Sequence, residues 1–258
     1  MSVEPLIQLL PAFVLVFFRM AGMCLTAPLF GSARIPRRVR VLFAMAISLG
    51  MMPSIAVPAA LPQSTWDLSA GIAGELLFGL AMGTALNFVF IAVQWAGEII
   101  GQQMGLGLGQ VFDPQHGASG SAVPDMYFLL TLTTFLVMQG HHAFLRGVRA
   151  SFDALPLLGA GLDRNLFDLI VSLLQASTGI AIQLAAPMLI AMLVTDVVLG
   201  FLGKTVPQIN IMSAGLSLRT LVGMIVLIAG LAMTSDVIAR SFLDSMKLMS
   251  RAWQGSGA

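Results

Sequence analysis

Four charged side chains interrupt otherwise apolar stretches of this 258-residue sequence, and they are its first candidates for chemistry. They are Arg19, Glu75, Glu98 and Asp196. An isolated charge inside a bilayer is costly, so such residues are normally paired or face water. The carboxylates could carry protons along a relay, or they could pair with Arg19, with Lys204 or with a partner subunit. The residue pattern leaves both interpretations open.

The other reactive residue types form no catalytic or metal-binding pattern. The single cysteine, Cys24, excludes an intramolecular disulfide and a cysteine-based metal site. The histidines are His116 and the adjacent pair His141 and His142, which lacks the i, i+3 or i, i+4 spacing of a helical metal site. No P-loop, nucleophile elbow or HExxH pair occurs. We therefore expect no catalytic residue, no cofactor and no metal, and hence no enzyme.

The composition predicts a multi-span integral membrane protein. Hydrophobic residues make up 57% of the chain and charged residues only 10%, with a mean hydropathy of +0.92. Soluble domains carry about 25% charged residues, enough to cover a polar exterior. The formal net charge of +1 indicates neither nucleic acid nor an acidic substrate as a partner.

Long apolar stretches predict an all-α fold of six helices, because about twenty apolar residues suffice to cross the hydrocarbon core. The stretches cover residues 6–30, 39–60, 68–100, 126–139, 166–202 and 216–241. The fifth is too long for one ordinary span, and Pro187 is predicted to kink or divide it. A polar tail is predicted to follow the sixth.

The basic residues conflict with a plain serpentine of these helices. Short cytoplasmic loops carry an excess of Lys and Arg, which places the first connection in the cytoplasm. Its basic residues are Arg34, Arg37, Arg38 and Arg40. Strict alternation would then put Arg146, Arg149 and the basic carboxy-terminal tail outside, contrary to the rule. The conflict vanishes if the third and fourth helices together cross only once, or if some helices form hairpins that never span, so we expect a non-standard topology.

Residues 101–125 form a glycine-rich segment without Lys or Arg. A glycine recurs at every fourth position through its beginning, at Gly97, Gly101, Gly105 and Gly109. On a helix these glycines would form a ridge at which another backbone can approach closely. The ridge could pack against helices of this chain or against another membrane subunit.

Beyond this ridge the segment is too irregular to lie against lipid, so its backbone must find protein or water. It is a re-entrant or pore-facing segment or, alternatively, a solvated surface loop. Met104 lies beside it, whereas the other methionines are expected to pack between helices.

Three stretches resemble the FliR family of flagellar export-gate proteins, whose relatives serve virulence type III secretion. They are APLFGSARIPRRVR at residues 27–40, GQQMGLGLGQVFDPQ at 101–115 and GKTVPQINIMSAGL at 203–216. Their order and spacing extend the resemblance over nearly the whole chain, as a single domain from 1 to 258. The FDPQ form looks more flagellar than injectisome-like.

The resemblance implies a subunit of a helical export gate, built with FliP and FliQ, through which unfolded flagellar proteins leave the cytoplasm. The gate would lie in the bacterial inner membrane at the flagellar basal body, with FlhB around its cytoplasmic opening and FlhA beneath. Helices in such a gate form hairpins, so hydropathy overestimates crossings. The glycine-rich segment resembles the family's plug, which helps close the channel. The candidate plug residues are Met104, Gly105, Gly107, Gly109, Phe112, Asp113, Pro114 and Gln115.

Other functions remain possible at this stage. One alternative function is that of the injectisome counterpart of the same gate. A proton- or solute-coupled secondary transporter would use Glu75, Glu98 and Asp196 to line its path. A purely structural membrane scaffold would form a complex that never conducts.

Overall fold

The computed structural model of the protein describes residues 4–28, 30, 35–56, 64–107, 122–159, 164–206 and 211–254. Every regular element in these ranges is helical, which confirms the all-α prediction. The helices are α1 (Glu4–Thr26), α2 (Arg37–Met51), α3 (Thr65–Gln103), α4 (Ala122–Val137), α5 (Gly140–Ala154), α6 (Arg164–Thr205) and α7 (Ile211–Gln254). A short 3-10 turn, Met52–Ser54, follows α2.

Among the described residues, α1, α3, α6 and α7 are the 4 helices long and apolar enough to cross a membrane. Helices α4 and α5 pass the same test only together, as a broken pair, which would make a fifth crossing. Helix α2 has 15 residues, short of the about twenty that a crossing needs. The chain is thus a polytopic membrane protein with fewer candidate crossings than apolar stretches.

Two helices end where the sequence-based prediction did not place them. Helix α2 stops at Met51 instead of reaching residue 60, because Pro53 follows in a 3-10 turn. A proline cannot donate the backbone hydrogen bond that would continue the helix. Helix α7 continues through the predicted polar tail to Gln254, and there the Lys247 ammonium lies 3.1 Å from the Asp244 carboxylate one turn away. Such i, i+3 pairs favour a helical tail.

Two further predictions about helices need correction. Pro187 lies inside α6 but does not divide it, since the helix runs without a break from Arg164 to Thr205. Residues 140–154, which the sequence analysis left between the helices predicted at 126–139 and 166–202, form α5. The buried residues of α5 recur at helical spacing, namely Phe144, Val148, Ser151 and Phe152. That amphipathic pattern is the signal that a search for long apolar stretches overlooks.

The chain forms two compact units. Unit 1 comprises Met1–Phe88, Gln139–Leu174 and Leu243–Ala258. Within it the backbones of α1 and α3 touch at glycines. A methyl group at Gly79 would overlap the carbonyl oxygen of Arg19, and one at Gly22 would lie 2.9 Å from the backbone nitrogen of Leu80. Glycine therefore sets the separation of these helices.

Unit 2 comprises Val89–Met138 and Gln175–Phe242. Aromatic rings from α3, α4 and α7 form part of its core. The ring centroids of Phe90 and Phe242 are 5.5 Å apart, and those of Phe135 and Phe242 are 5.1 Å apart. These are the tilted and edge-to-face arrangements that aromatic pairs prefer. The cluster packs the middle of α3 against Phe242, the last residue of unit 2, in α7.

Candidate functional site

Arg19 of α1 is completely buried, and its guanidinium has partners on every side within unit 1. It pairs with the Glu75 carboxylate of α3. It also donates to the Ser151 hydroxyl of α5 at 3.3 Å and to the Leu155 carbonyl oxygen at 3.1 Å. The rings of Phe78 and Phe152 lie 4.8 and 4.1 Å from it, at cation–π distance. A buried charge with this many partners is structurally compensated.

Both oxygens of the buried Glu75 carboxylate are engaged. One oxygen pairs with Arg19, and the other accepts the backbone N–H of Leu158 at 3.1 Å. Leu158 has a φ of +72°, a left-handed conformation that is uncommon for a leucine. The Glu75 carboxylate thus holds the backbone that follows α5 through its hydrogen bond from Leu158. Of the two interpretations that the sequence left open for this carboxylate, the structure contains the pairing with Arg19.

The remaining two candidate charges belong to unit 2, and each has its own neighbour. The Asp196 carboxylate lies 2.6 Å from the Arg219 guanidinium of α7, and both side chains are about two-fifths exposed, at 42% and 41%. The sequence had suggested Arg19, Lys204 or a partner subunit as its partner, and Arg219 was missed. Glu98 is exposed on α3 and accepts a hydrogen bond from Gln102 of the same helix at 3.2 Å.

The histidines do not build a metal site in the described part of the chain. The rings of His141 and His142 lie at the start of α5 with centroids 4.2 Å apart and planes tilted by 39°. No group of three His, Cys, Asp or Glu side chains that could hold a metal ion occurs among the described residues. His116 lies outside the described residues.

The glycine-rich segment begins in a well-defined turn, residues 104–107, which we call its root. The N–H of Leu106 donates to the Gly101 carbonyl at 3.1 Å, and the N–H of Gly105 donates to the Gln102 carbonyl at 3.0 Å. Gly105 has a φ of +77°. These bonds and this φ define a Schellman motif, which ends a helix on a left-handed glycine. Helix α3 therefore stops at Gln103 because Gly105 takes a conformation that disfavours other residues.

The root is attached to α7. The Thr220 hydroxyl lies 3.0 Å from the carbonyl oxygen of Met104. The Met104 side chain is buried against Gly223, where an added methyl group would lie 3.1 Å from its sulfur and 3.0 Å from the Met192 methyl. A methyl at Gly105 would overlap the Leu216 side chain. The Met104 carbonyl, the Met104 thioether and Gly105 thus all contact α7.

The predicted glycine ridge is interrupted because its third member lies beyond the end of α3. Gly97 packs within this chain, where an added methyl would lie 2.8 Å from Cα of Pro124 in α4. Gly101 is buried and supplies a carbonyl to the Schellman motif. The contacts seen at Gly97 and Gly105 are thus internal. The predicted residues Gly109, Phe112, Asp113, Pro114 and Gln115 lie outside the described residues.

Unit 2 also contains a cavity of about 420 Å³ beside Pro187. Its wall consists mostly of aliphatic and methionine side chains, including Ile100, Met188, Ile225 and Met233. The few polar side chains on the wall include Tyr127 and Thr234. Sites for hydrophilic solutes instead present several convergent polar groups.

These features define a class: an α-helical, polytopic membrane protein with a compensated buried charge and a glycine-rich segment whose root is fixed to its own helices. Residues 10–245 match the bacterial export proteins, family 1, and the chain belongs to that family. The resemblance to FliR proteins is thereby confirmed.

Several curated relatives support this membership over almost their full length. The chain is 31% identical over 250 residues to the flagellar biosynthetic protein FliR of Bacillus subtilis, covering 95% of each chain. It is 29% identical to the protein of that name in Caulobacter vibrioides, covering 89% of this chain and 93% of the relative. It is 28% identical to the protein of that name in Escherichia coli, covering 90% of this chain and 88% of the relative.

Proposed function

We propose that the whole chain acts as one non-enzymatic subunit of the flagellar type III protein export gate. In this proposal it assembles with FliP and FliQ, and FlhB and FlhA adjoin the gate on its cytoplasmic side. The assembly lies in the bacterial inner membrane at the flagellar basal body. Unfolded flagellar proteins pass through the channel that it helps to form and to close.

The observation that carries the proposal is the match to a bacterial export family over residues 10–245. Similar proteins of nearly the same length are named flagellar biosynthetic proteins, which favours a flagellar gate over an injectisome gate. The exposed apolar surface supports assembly with partners. Helices α6 and α7 expose side chains such as Phe201 and Ile228, at 68% and 67%, which need lipid or protein as neighbours.

The proposed mechanism is steric gating by the glycine-rich segment. Its root is fixed to α7, so the residues that follow start from a defined point. In the closed gate the part around Phe112 and Pro114 fills the pore and prevents ion leakage. When an export substrate engages, this part moves aside. No covalent bond is made or broken in this process, which is consistent with a non-enzymatic subunit.

Deleting residues 107–115 tests this mechanism. We expect the deletion to raise the ion conductance of the assembled gate several-fold, because the obstructing residues are removed, while FliP and FliQ still copurify with the chain. The conductance is measured across membranes that contain the assembled complex. A variant in which the same residues are replaced by a glycine–serine linker of equal length separates loss of bulk from loss of length. Unchanged conductance in a correctly assembled complex would contradict the plug assignment.

The secondary-transporter alternative is weaker because its carboxylates are engaged separately. Both oxygens of Glu75 have fixed donors, and Asp196 is paired with Arg219. A relay carboxylate must instead exchange protons with water or with a neighbouring carrier. Copurification with two small membrane partners favours the gate, whereas solute uptake by the purified chain alone in liposomes would favour the transporter.

A further inference from the structure

The Met104 carbonyl oxygen stands at the end of a helix, where backbone acceptors have no partner within the helix. In the Schellman motif the carbonyls of Gly101 and Gln102 are satisfied by the turn itself. The Met104 carbonyl is instead satisfied from outside, by the Thr220 hydroxyl at 3.0 Å. This hydrogen bond joins residues 116 positions apart in the chain. It therefore attaches the root to α7 at one defined atom.

Thr220 has a second acceptor. Its hydroxyl also lies 3.0 Å from the carbonyl oxygen of Leu216, one turn earlier in the same helix. A hydroxyl carries one proton, so the two carbonyls share a single donor. If the root moves away, the Thr220 hydroxyl can keep its hydrogen bond to the Leu216 carbonyl, so this part-buried donor is not left unsatisfied. Opening the attachment therefore costs less than breaking a hydrogen bond that leaves both groups without a partner, because only the Met104 carbonyl loses its donor.

The side-chain contacts of the root suit repeated opening. Met104 is 1% exposed, and its side chain and that of Met192 both lie beside Gly223. Unbranched methionine thioethers adapt easily to new neighbours. The turn of α7 that carries Thr220 is itself held in place, because the adjacent Arg219 pairs with Asp196 of α6. Helix α7 is thus held to α6 beside Thr220, and the root is hydrogen bonded to α7 through the Thr220 hydroxyl.

We propose that Thr220 is a positioning residue for gating: its hydroxyl holds the root while the gate is closed and releases it by giving up its hydrogen bond to the Met104 carbonyl while keeping the one to the Leu216 carbonyl. This inference rests on the proposed gating function, and it adds the residue that controls the glycine-rich segment. It predicts that removing the hydroxyl without changing side-chain shape loosens the root in a gate that is otherwise intact.

The test compares Thr220→Val with Thr220→Ser in the full chain assembled with its partners. A nitroxide label at Gly107→Cys reports mobility of the root, and an added side chain at this position meets nothing within 4 Å. An assembled gate that lacks Gly107→Cys, labelled in parallel, gives the background from native cysteines. We expect T220V to increase label mobility and to raise ion leakage at least threefold, with unchanged assembly. T220S, which keeps the hydroxyl, should match the parent in both measurements.

A matched control is Thr195→Val. Among the described residues, the Thr195 hydroxyl donates to the Ala191 carbonyl of its own helix, at 2.8 Å. The same chemical change there should alter neither mobility nor leakage. If T220V fails to assemble, Thr220→Ala replaces it, since it also removes the hydroxyl but adds no bulk, and it should give the same two effects.

The outcomes separate the two proposals. Label mobility and leakage in T220V equal to those of T195V, together with a leaky deletion of residues 107–115, would overturn the role of Thr220 and leave the plug intact. A deletion that does not leak in an assembled complex would overturn the plug and, with it, the gating role of Thr220. Equal effects of T220S and T220V would also overturn the proposal, because the hydroxyl would then be irrelevant.

Discussion

Arg19 in unit 1 and Thr220 in unit 2 each attach one helix to distant parts of the chain, but with very different numbers of contacts. The Arg19 guanidinium bonds to Glu75, Ser151 and a backbone carbonyl and lies between two aromatic rings. The Thr220 hydroxyl makes one bond to the root and has an equivalent acceptor in its own helix. Opening the first contact leaves charges buried, whereas opening the second leaves its donor satisfied. The first suits a permanent frame and the second a contact that opens in use.

The strongest test of this difference is Glu75→Ala. It leaves Arg19 charged, buried and without its carboxylate, so we expect a loss of about 3–5 kcal/mol in the free energy of unfolding. Thermal unfolding followed by size-exclusion chromatography of the detergent-extracted chain measures the effect. Glu98→Ala makes the same change on the exposed side of the same helix and should stay within about 0.5 kcal/mol of the parent. Equal losses in the two variants would contradict a rigid frame built on this pair.

A double variant tests whether the loss comes from the unpaired charge of Arg19. Replacing the pair together, as Arg19→Met with Glu75→Leu, leaves no unpaired buried charge. Apolar replacement of a buried ion pair is often neutral. The double variant should therefore be more stable than Glu75→Ala alone.

The next effect in size concerns the glycines that bring α1 and α3 together. Gly79→Ala places a methyl against the Arg19 backbone, which cannot move aside as a flexible side chain can. We expect a loss of about 1–3 kcal/mol from overpacking. Gly179→Ala, in α6, meets nothing within 4 Å and should be neutral or stabilising by up to about 1 kcal/mol. Only Gly79→Ala should therefore lower the melting temperature, and a tolerated Gly79→Ala would argue against backbone contact.

The smallest expected effect concerns the support of Thr220. Arg219→Gln removes an ion pair whose side chains are about two-fifths exposed, at 41% and 42%, so the loss should be less than about 1 kcal/mol in the isolated chain. The difference from the parent should shrink in high salt, because screening weakens exposed pairs. Thermal unfolding at low and high salt measures both effects. A loss as large as that of Glu75→Ala would remove the contrast between the two units.

Hydropathy located the long helices but not the contacts between them. The existence of α1, α3, α6 and α7 follows from apolar runs, because backbone groups in a bilayer must be satisfied within a helix. The end of α2 was misplaced because an apolar run continues past Pro53, where helical hydrogen bonding does not. Helix α5 was overlooked because its apolar residues lie on one face and are diluted by His141, His142 and Arg146.

The functional residues show the same limit of local reasoning. Arg19 and Glu75 stood out because charges are rare in apolar helices, although their pairing across 56 positions is a tertiary feature. Thr220 and Gly223 gave no signal, since threonine and glycine are common in membrane helices. Gly105 was noted for its spacing, but its role depends on a positive φ that the spacing does not encode. Arg219 was missed because it lies near the start of α7, far in sequence from Asp196.

The Schellman stop at Gly105 also bears on how this region can change length during evolution. The bonds that end α3 close at Leu106, so nothing in them depends on the residues that follow. Insertions or deletions beyond Gly107 would therefore leave the helix end and its exit direction intact. The entropy of closing a longer loop grows only slowly with length. One left-handed glycine thus allows the number of residues after it to change without redesigning the helices.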